Sequence, residues 1–161
     1  MLTKNEKSIV LLHGIFKPAI FDLLKEKKAK EIFILEGRPS LESSRVGSRE
    51  LLRRKLKPTL IADNMAGFLF NRNLVKEVRL SYQLSDDNGA LCTIGALILG
   101  VLAKKHNVPV NLYPSGKATK LLGNQAEIFS FNGVKVAPNK IQGYVPLVEW
   151  LPKKYITKIY E

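Results

Sequence analysis

Apolar positions along the chain fall into two alternating patterns. Short β-branched runs at Ser8–Leu12, Glu31–Leu35, Thr59–Ala62, Glu77–Leu80 and Pro109–Tyr113 predict strands. Between them the apolar spacing shifts to three and four residues. That predicts helices over Pro18–Lys28 (through Ile20, Phe21, Leu23 and Leu24), Leu41–Lys55, Asn64–Phe70 and Leu91–His106. Strands that alternate with helices join through right-handed crossovers into a parallel sheet covered on both faces. The expected fold is therefore α/β: a mostly parallel sheet with helices on both faces.

The 91–106 segment is apolar nearly all round, with small residues at Gly95, Ala96, Gly100 and Ala103, so it reads as a buried helix packed closely on the sheet. The stretch Ser81–Gly89 before it reads as a loop. After Tyr113 the alternation stops. Glu127–Val136 reads as two short strands around Asn132-Gly133, residues that tolerate the positive φ a tight hairpin demands, giving a C-terminal β-hairpin. No linker, repeat or low-complexity tract interrupts the chain, so residues 1–161 are expected to form one domain.

Composition narrows the setting. No run reaches the roughly 18 apolar residues a membrane span needs, and the first seven residues are too polar for a signal peptide. No membrane partner is expected. One cysteine, Cys92, and two histidines, His13 and His106, give no disulfide framework and no Cys/His zinc site. A reducing cytoplasm is the expected setting, with no metal or cofactor. The net charge of +12 favours anionic partners: phosphorylated small molecules, an acidic protein or, less well, nucleic acid. Both parts of the chain carry the excess, so no basic tail stands apart.

Ligands in open α/β sheets sit at the carboxyl ends of strands, where helix N-termini supply unpaired N–H groups. After the second strand, Arg38, Ser43, Ser44 and Arg45 gather at a helix start, a position suited to a phosphate. The same residues also fit a capped loop with a Glu36–Arg38 ion pair. Arg45, Arg49 and Arg53 form a basic stripe one helical turn apart. Asp86 and Asp87 can serve as paired carboxylates or as ordinary turn residues beside Asn88-Gly89. Cys92 falls near a predicted helix N-terminus, which would lower its thiol pKa, or else acts as a small core residue. No P-loop or G-x-G-x-x-G pattern occurs.

A linked series carries a resemblance. Leu35-Glu36-Gly37-Arg38-Pro39, Arg45, Glu50-Leu51, Ile61-Ala62-Asp63-Asn64-Met65-Ala66-Gly67, Asn88-Gly89, Ile94-Gly95 and Val101 to His106 occur in that order. So do Val108-Pro109, Val134 to Pro138 and Ile156 to Glu161. The chain from about residue 8 to 161 resembles the methylthioribose-1-phosphate isomerases and the alpha, beta and delta subunits of translation initiation factor 2B. The resemblance implies a Rossmann-like domain that dimerises through this same region, and Met65, Phe68, Leu69 and Phe70 crowd one short segment that a single small domain cannot bury whole.

It also implies losses. The isomerases carry an N-terminal helical domain with phosphate-binding groups, whereas this sequence opens on its first strand, so half of that pocket would be missing. The isomerase cysteine corresponds to Gly14, and the aspartate of a Gly-Ala-Asp stretch to Gln83 in Ser81-Tyr82-Gln83. A glutamine after Arg-Pro becomes Glu42, and an Asn-Lys pair becomes Cys92-Thr93. Aldose-ketose isomerisation needs one group to take a proton and another to return it, which Gly14 and Gln83 cannot do. The expected function is a non-catalytic dimeric binding or regulatory domain with a weak anion pocket at Arg38, Glu42, Ser43, Ser44, Arg45 and Asn88. The alternative is a sugar-phosphate isomerase that uses His13, Glu42, Asp86 or Cys92 instead.

Overall fold

A computed structural model describes residues 7–26 and 31–161. Strand β1 (Ile9–His13) is buried at every position, as a central parallel strand covered on both faces must be. Around it are β2 (Glu31–Leu35), β3 (Thr59–Ile61), β4 (Val75–Asp86), β6 (Val110–Pro114) and β10 (Lys158–Ile159). They pair in parallel in the order β10-β6-β4-β1-β2-β3. Two antiparallel strands, β5 (Gly89–Thr93) and β9 (Val148–Pro152), extend the sheet from the far half of β4.

Helices cover both faces. On one, α1 (Ala19–Glu26) and α2 (Glu42–Arg53) bury Ile20, Phe21, Leu24 and Leu51 against Val10, Leu12, Ile32 and Ile34. On the other, α3 (Ala66–Asn71) and α4 (Ala96–Lys105) bury Leu69, Phe70, Leu99 and Ala103 against Ile9, Leu11 and Val78. Alternate residues of β1 thus feed two separate cores, as strand geometry dictates. Arg54, just past α2, ties the first pair together: its guanidinium meets Asp22 of α1 at 2.6 Å and Glu50 at 2.7 Å.

Three elements differ from the sequence reading. Residues 91–93 are strand, not helix, and α4 starts only at Ala96. Accordingly, Ser81–Asp86 is strand too, and Asp87-Asn88 is the two-residue tip of a hairpin between β4 and β5. A short apolar run does not distinguish strand from helix, and Leu91-Cys92-Thr93-Ile94 suits either. Glu127–Val136 contains one helical turn, α5 (Ala126–Phe129), before β7 (Ser130–Phe131) and β8 (Val134–Lys135). Asn132 and Gly133 do take φ of 52° and 77°, and the hairpin forms a small sheet of its own. The expected last turn of the first helix, at Lys27 and Lys28, lies outside the described residues.

Candidate functional site

The carboxyl ends of β1, β2 and β3 open toward one side of the sheet, and Asp63 organises the loops there. Its Oδ1 accepts the Gly37 N–H and its Oδ2 the Arg38 N–H, both at 2.8 Å. Those bonds fix the turn that delivers Arg38 to the mouth of the site. The Arg38 guanidinium lies 4.7 Å from the centre of the Phe131 ring, not against Glu36.

Helix α2 begins after Leu41, a residue at φ 60° that gives the helix no side-chain cap. The Glu42 N–H donates to Ser40 Oγ at 3.3 Å, and the N–H groups that follow it have no partner within the helix and form an anion-favouring end. The two neighbouring serines part ways here. Ser44 turns its hydroxyl back to donate to the Leu41 carbonyl at 3.0 Å. Ser43 is 4% exposed, and among the described residues its Oγ has no hydrogen-bond partner. It lines a pocket of about 40 Å³ together with Gly37, Arg38, Glu42, Thr93 and Thr119. Glu42 does not neutralise Arg45; its carboxylate takes Lys117 Nζ at 2.6 Å. Arg45 is exposed outside this pocket, in line with Arg49 and Arg53. Asn88 is at the hairpin tip, about 16 Å along β5 from Thr93 at strand rise, so it does not join the others.

A second group meets beside the end of β1. Gly14 has φ 111°, and a Cβ added to it would stand 2.0 Å from Ser81 Oγ and 2.8 Å from Ser81 Cβ. The Ser81 hydroxyl accepts the Ile15 N–H at 3.0 Å and is 3.5 Å from Thr93 Oγ1. Gln83 Oε1 accepts the Thr119 N–H at 2.8 Å. His13, at the end of β1, is 2% exposed and its Nε2 is 2.7 Å from the Ile94 carbonyl, to which it donates. Burial holds its pKa below the usual histidine value, so the ring is neutral at pH 7. Its Nδ1 has no partner among the described residues.

The remaining candidates have structural roles. Asp86 Oδ1 caps the hairpin by accepting the Asn88 and Gly89 N–H groups at 2.7 and 3.1 Å, and Asp87 is exposed. Cys92 is on β5, not at a helix start, and is fully buried. Burial pushes its thiol up to about 12. Iodoacetamide at pH 8 should therefore leave Cys92 unmodified in the folded protein and alkylate it in urea; rapid labelling of the native protein would contradict this placement. The N-terminus of α4 is closed by Glu149 of β9, whose Oε1 accepts the Gly95 and Leu97 N–H groups at 2.7 and 2.9 Å.

Between α3 and α4 runs a larger cleft of about 530 Å³, with His13, Arg38, Asp63 and Glu149 at one end and Ile98 and Leu102 along its wall. A side chain added at Gly67 would meet nothing within 4 Å, so the cleft is open above α3. The same two helices expose Phe68 by 60% and Ile98 by 66%, and Val101 of α4 and Met65, just before α3, are also uncovered. Leu69 and Phe70, by contrast, are in the core.

A family model described as the initiation factor 2 subunit family matches residues 6–160. The chain belongs to that family. Among similar proteins, a methylthioribose-1-phosphate isomerase from Desulfitobacterium hafniense is 33% identical over 144 residues, covering 82% of this chain and 42% of that protein. One from Thermus thermophilus is 28% identical over 159 residues, covering 91% and 48%. The chain thus spans about half the length of the curated relatives it matches. Among solved structures, the translation initiation factor eIF-2B delta subunit from A. fulgidus superposes with a TM-score of 0.82 at 18% identity, covering 98% of this chain and 52% of that one. The 5-methylthioribose 1-phosphate isomerase from Pyrococcus horikoshii gives 0.81 at 21%, covering 95% and 49%. These structures share the α/β fold described above. No helix among the described residues is long and apolar enough to cross a membrane.

Proposed function

We propose that this chain is a non-catalytic member of the initiation factor 2 subunit family, a dimeric binding or regulatory module with a weak pocket for a phosphorylated small molecule at the start of α2. The observation that carries the non-catalytic reading is Ser81. Its hydroxyl fills the space that any side chain at Gly14 would need, so the position matching the isomerase cysteine has lost both the thiol and the room for one. Gln83, at the position of the isomerase aspartate, is an amide already engaged by Thr119 and has no proton to exchange near neutral pH.

Support for the pocket comes from Ser43 and Arg38. A buried hydroxyl without a partner at the start of α2 and Arg38 line one small space, an arrangement that favours a negatively charged group. Glu42 opposes it. Calorimetric titration with ribose 5-phosphate should show weak binding that Ser43→Ala or Arg38→Met reduces at least fivefold. Glu42→Gln should tighten it by a few-fold to about tenfold, or roughly 1 kcal/mol. Unchanged affinity in all three variants would remove the pocket.

The exposed apolar face of α3 and α4 supports a second copy as partner, since such a patch on a small domain marks an interaction surface. Light scattering at tens of micromolar should give twice the chain mass, and Phe68→Glu should give the monomer. A monomeric wild type would contradict the dimer.

A further inference from the structure

The pocket at α2 is lined on one side by Thr119, the end of a segment, residues 115–119, that is held unevenly. At the root the ties are to backbone: Ser115 N–H donates to the Tyr82 carbonyl at 2.7 Å and Gly116 N–H to the Ile15 carbonyl at 3.0 Å. Further on, the segment reaches across to two side chains on opposite walls. Lys117 Nζ is 2.6 Å from Glu42 Oε1 at the start of α2, and Thr119 N–H donates to Gln83 Oε1 on β4 at 2.8 Å. With the segment in this position the pocket measures about 40 Å³.

We propose that residues 117–119 are a strap that gates the anion pocket, latched by Glu42 and Gln83 and released when an anion draws Lys117 away from Glu42. The inference rests on the pocket reading given above and adds its regulation. The latch is built to yield: the side chains of Lys117 and Glu42 are 59% and 37% exposed, so their ion pair is solvated and exchangeable. An incoming phosphate offers Lys117 a dianion beside the N–H groups of α2, Ser43 Oγ and Arg38, which face the same space. While the latched state dominates, the apparent affinity is reduced by the fraction of molecules that are open, which makes the wild-type site weak without any defect in its ligating groups. Lys117 then has two partners in turn, and Gln83 is a positioning residue that acts only through the Thr119 backbone.

Amide hydrogen exchange at residues 116–119, measured with and without inorganic phosphate beside calorimetry with the same ion, tests the strap. In the wild type the Thr119 amide should be protected and saturating phosphate should accelerate its exchange. Gln83→Ala should accelerate it about tenfold without ligand and tighten phosphate binding several-fold, because a larger fraction is open. Gln83→Glu should restore protection, since a carboxylate accepts the same N–H, and Glu42→Gln should loosen the strap from the other side. Exchange at Thr119 that ignores Gln83→Ala overturns the strap, as does faster exchange with no gain in affinity in a protein that binds phosphate. If neither the wild type nor any variant binds phosphate, the pocket reading falls and the gate with it.

Discussion

Gly14→Cys should destabilise the wild-type domain by about 3 kcal/mol and a Ser81→Gly domain by about half as much. A Cβ at residue 14 meets Ser81 Oγ at 2.0 Å and Ser81 Cβ at 2.8 Å. Rotating the hydroxyl away relieves the first contact but not the second, so the backbones of β1 and β4 must separate; overpacking of this kind costs about 1–3 kcal/mol. The φ of 111° adds about 1–2 kcal/mol for a residue with a side chain. Ser81→Gly removes the collision and leaves the backbone strain, and the bond it takes from the Ile15 N–H cancels within the cycle. A double-mutant cycle by urea unfolding should therefore show strong coupling between the two positions. Additive effects would mean that Ser81 does not fill the space above Gly14, and the non-catalytic reading would lose its structural basis.

Asp63→Ala should cost about 3 kcal/mol and reduce phosphate binding more than tenfold, although Asp63 is not itself part of the pocket at Ser43. Its carboxylate holds two adjacent backbone N–H groups, Gly37 and Arg38, and each such charge-assisted bond contributes about 1.5–3 kcal/mol. Without it the Gly37 to Leu41 turn loses its register and Arg38 its position over the site. Asp63→Asn should fall between, because its carbonyl oxygen can accept one of the two N–H groups while its amide nitrogen faces the other. Thermal unfolding and calorimetry on the three proteins check the order, and an Asp63→Ala protein with wild-type stability would contradict the role.

The sheet was readable in the sequence where the local signal was strong. Ile9 to Leu12 form an unbroken apolar run, and such a run bounded by His13-Gly14 fits only a covered strand in this context. Asn132-Gly133 announced its turn because few other residues take two positive φ values in succession. Residues 91–93 show no periodicity that separates strand from helix, and a helix there makes the Asp87-Asn88 hairpin tip before them look like loop. Strands β9 and β10 carry little local signal: Val148–Pro152 has Glu149 and Trp150 at positions where alternation is expected to show, and Lys158–Ile159 is only two residues long.

Of the site, residue type and loop position identified Arg38, Glu42 and Ser43, but nothing local separates Ser43 from Ser44. Only the start of α2 decides that one hydroxyl turns back to Leu41 and the other is left in the pocket. The pairings that matter most join distant segments: Gly14 with Ser81, Glu42 with Lys117, Gln83 with Thr119. Asp63 stood in view within the Ile61 to Gly67 motif, yet its task of holding Gly37 and Arg38 depends on β2 lying beside β3. Lys117 has no sequence signal at all, being one lysine among many in a strongly basic chain.

The central claim, that this member of the family binds without catalysing, is tested most directly by carbon-13 NMR of methylthioribose 1-phosphate incubated for hours with the protein at tens of micromolar. The absence of a thiol at Gly14 and of a carboxyl at Gln83 predicts a spectrum that matches the protein-free control throughout. Appearance of the ketose carbonyl signal faster than in that control would contradict it.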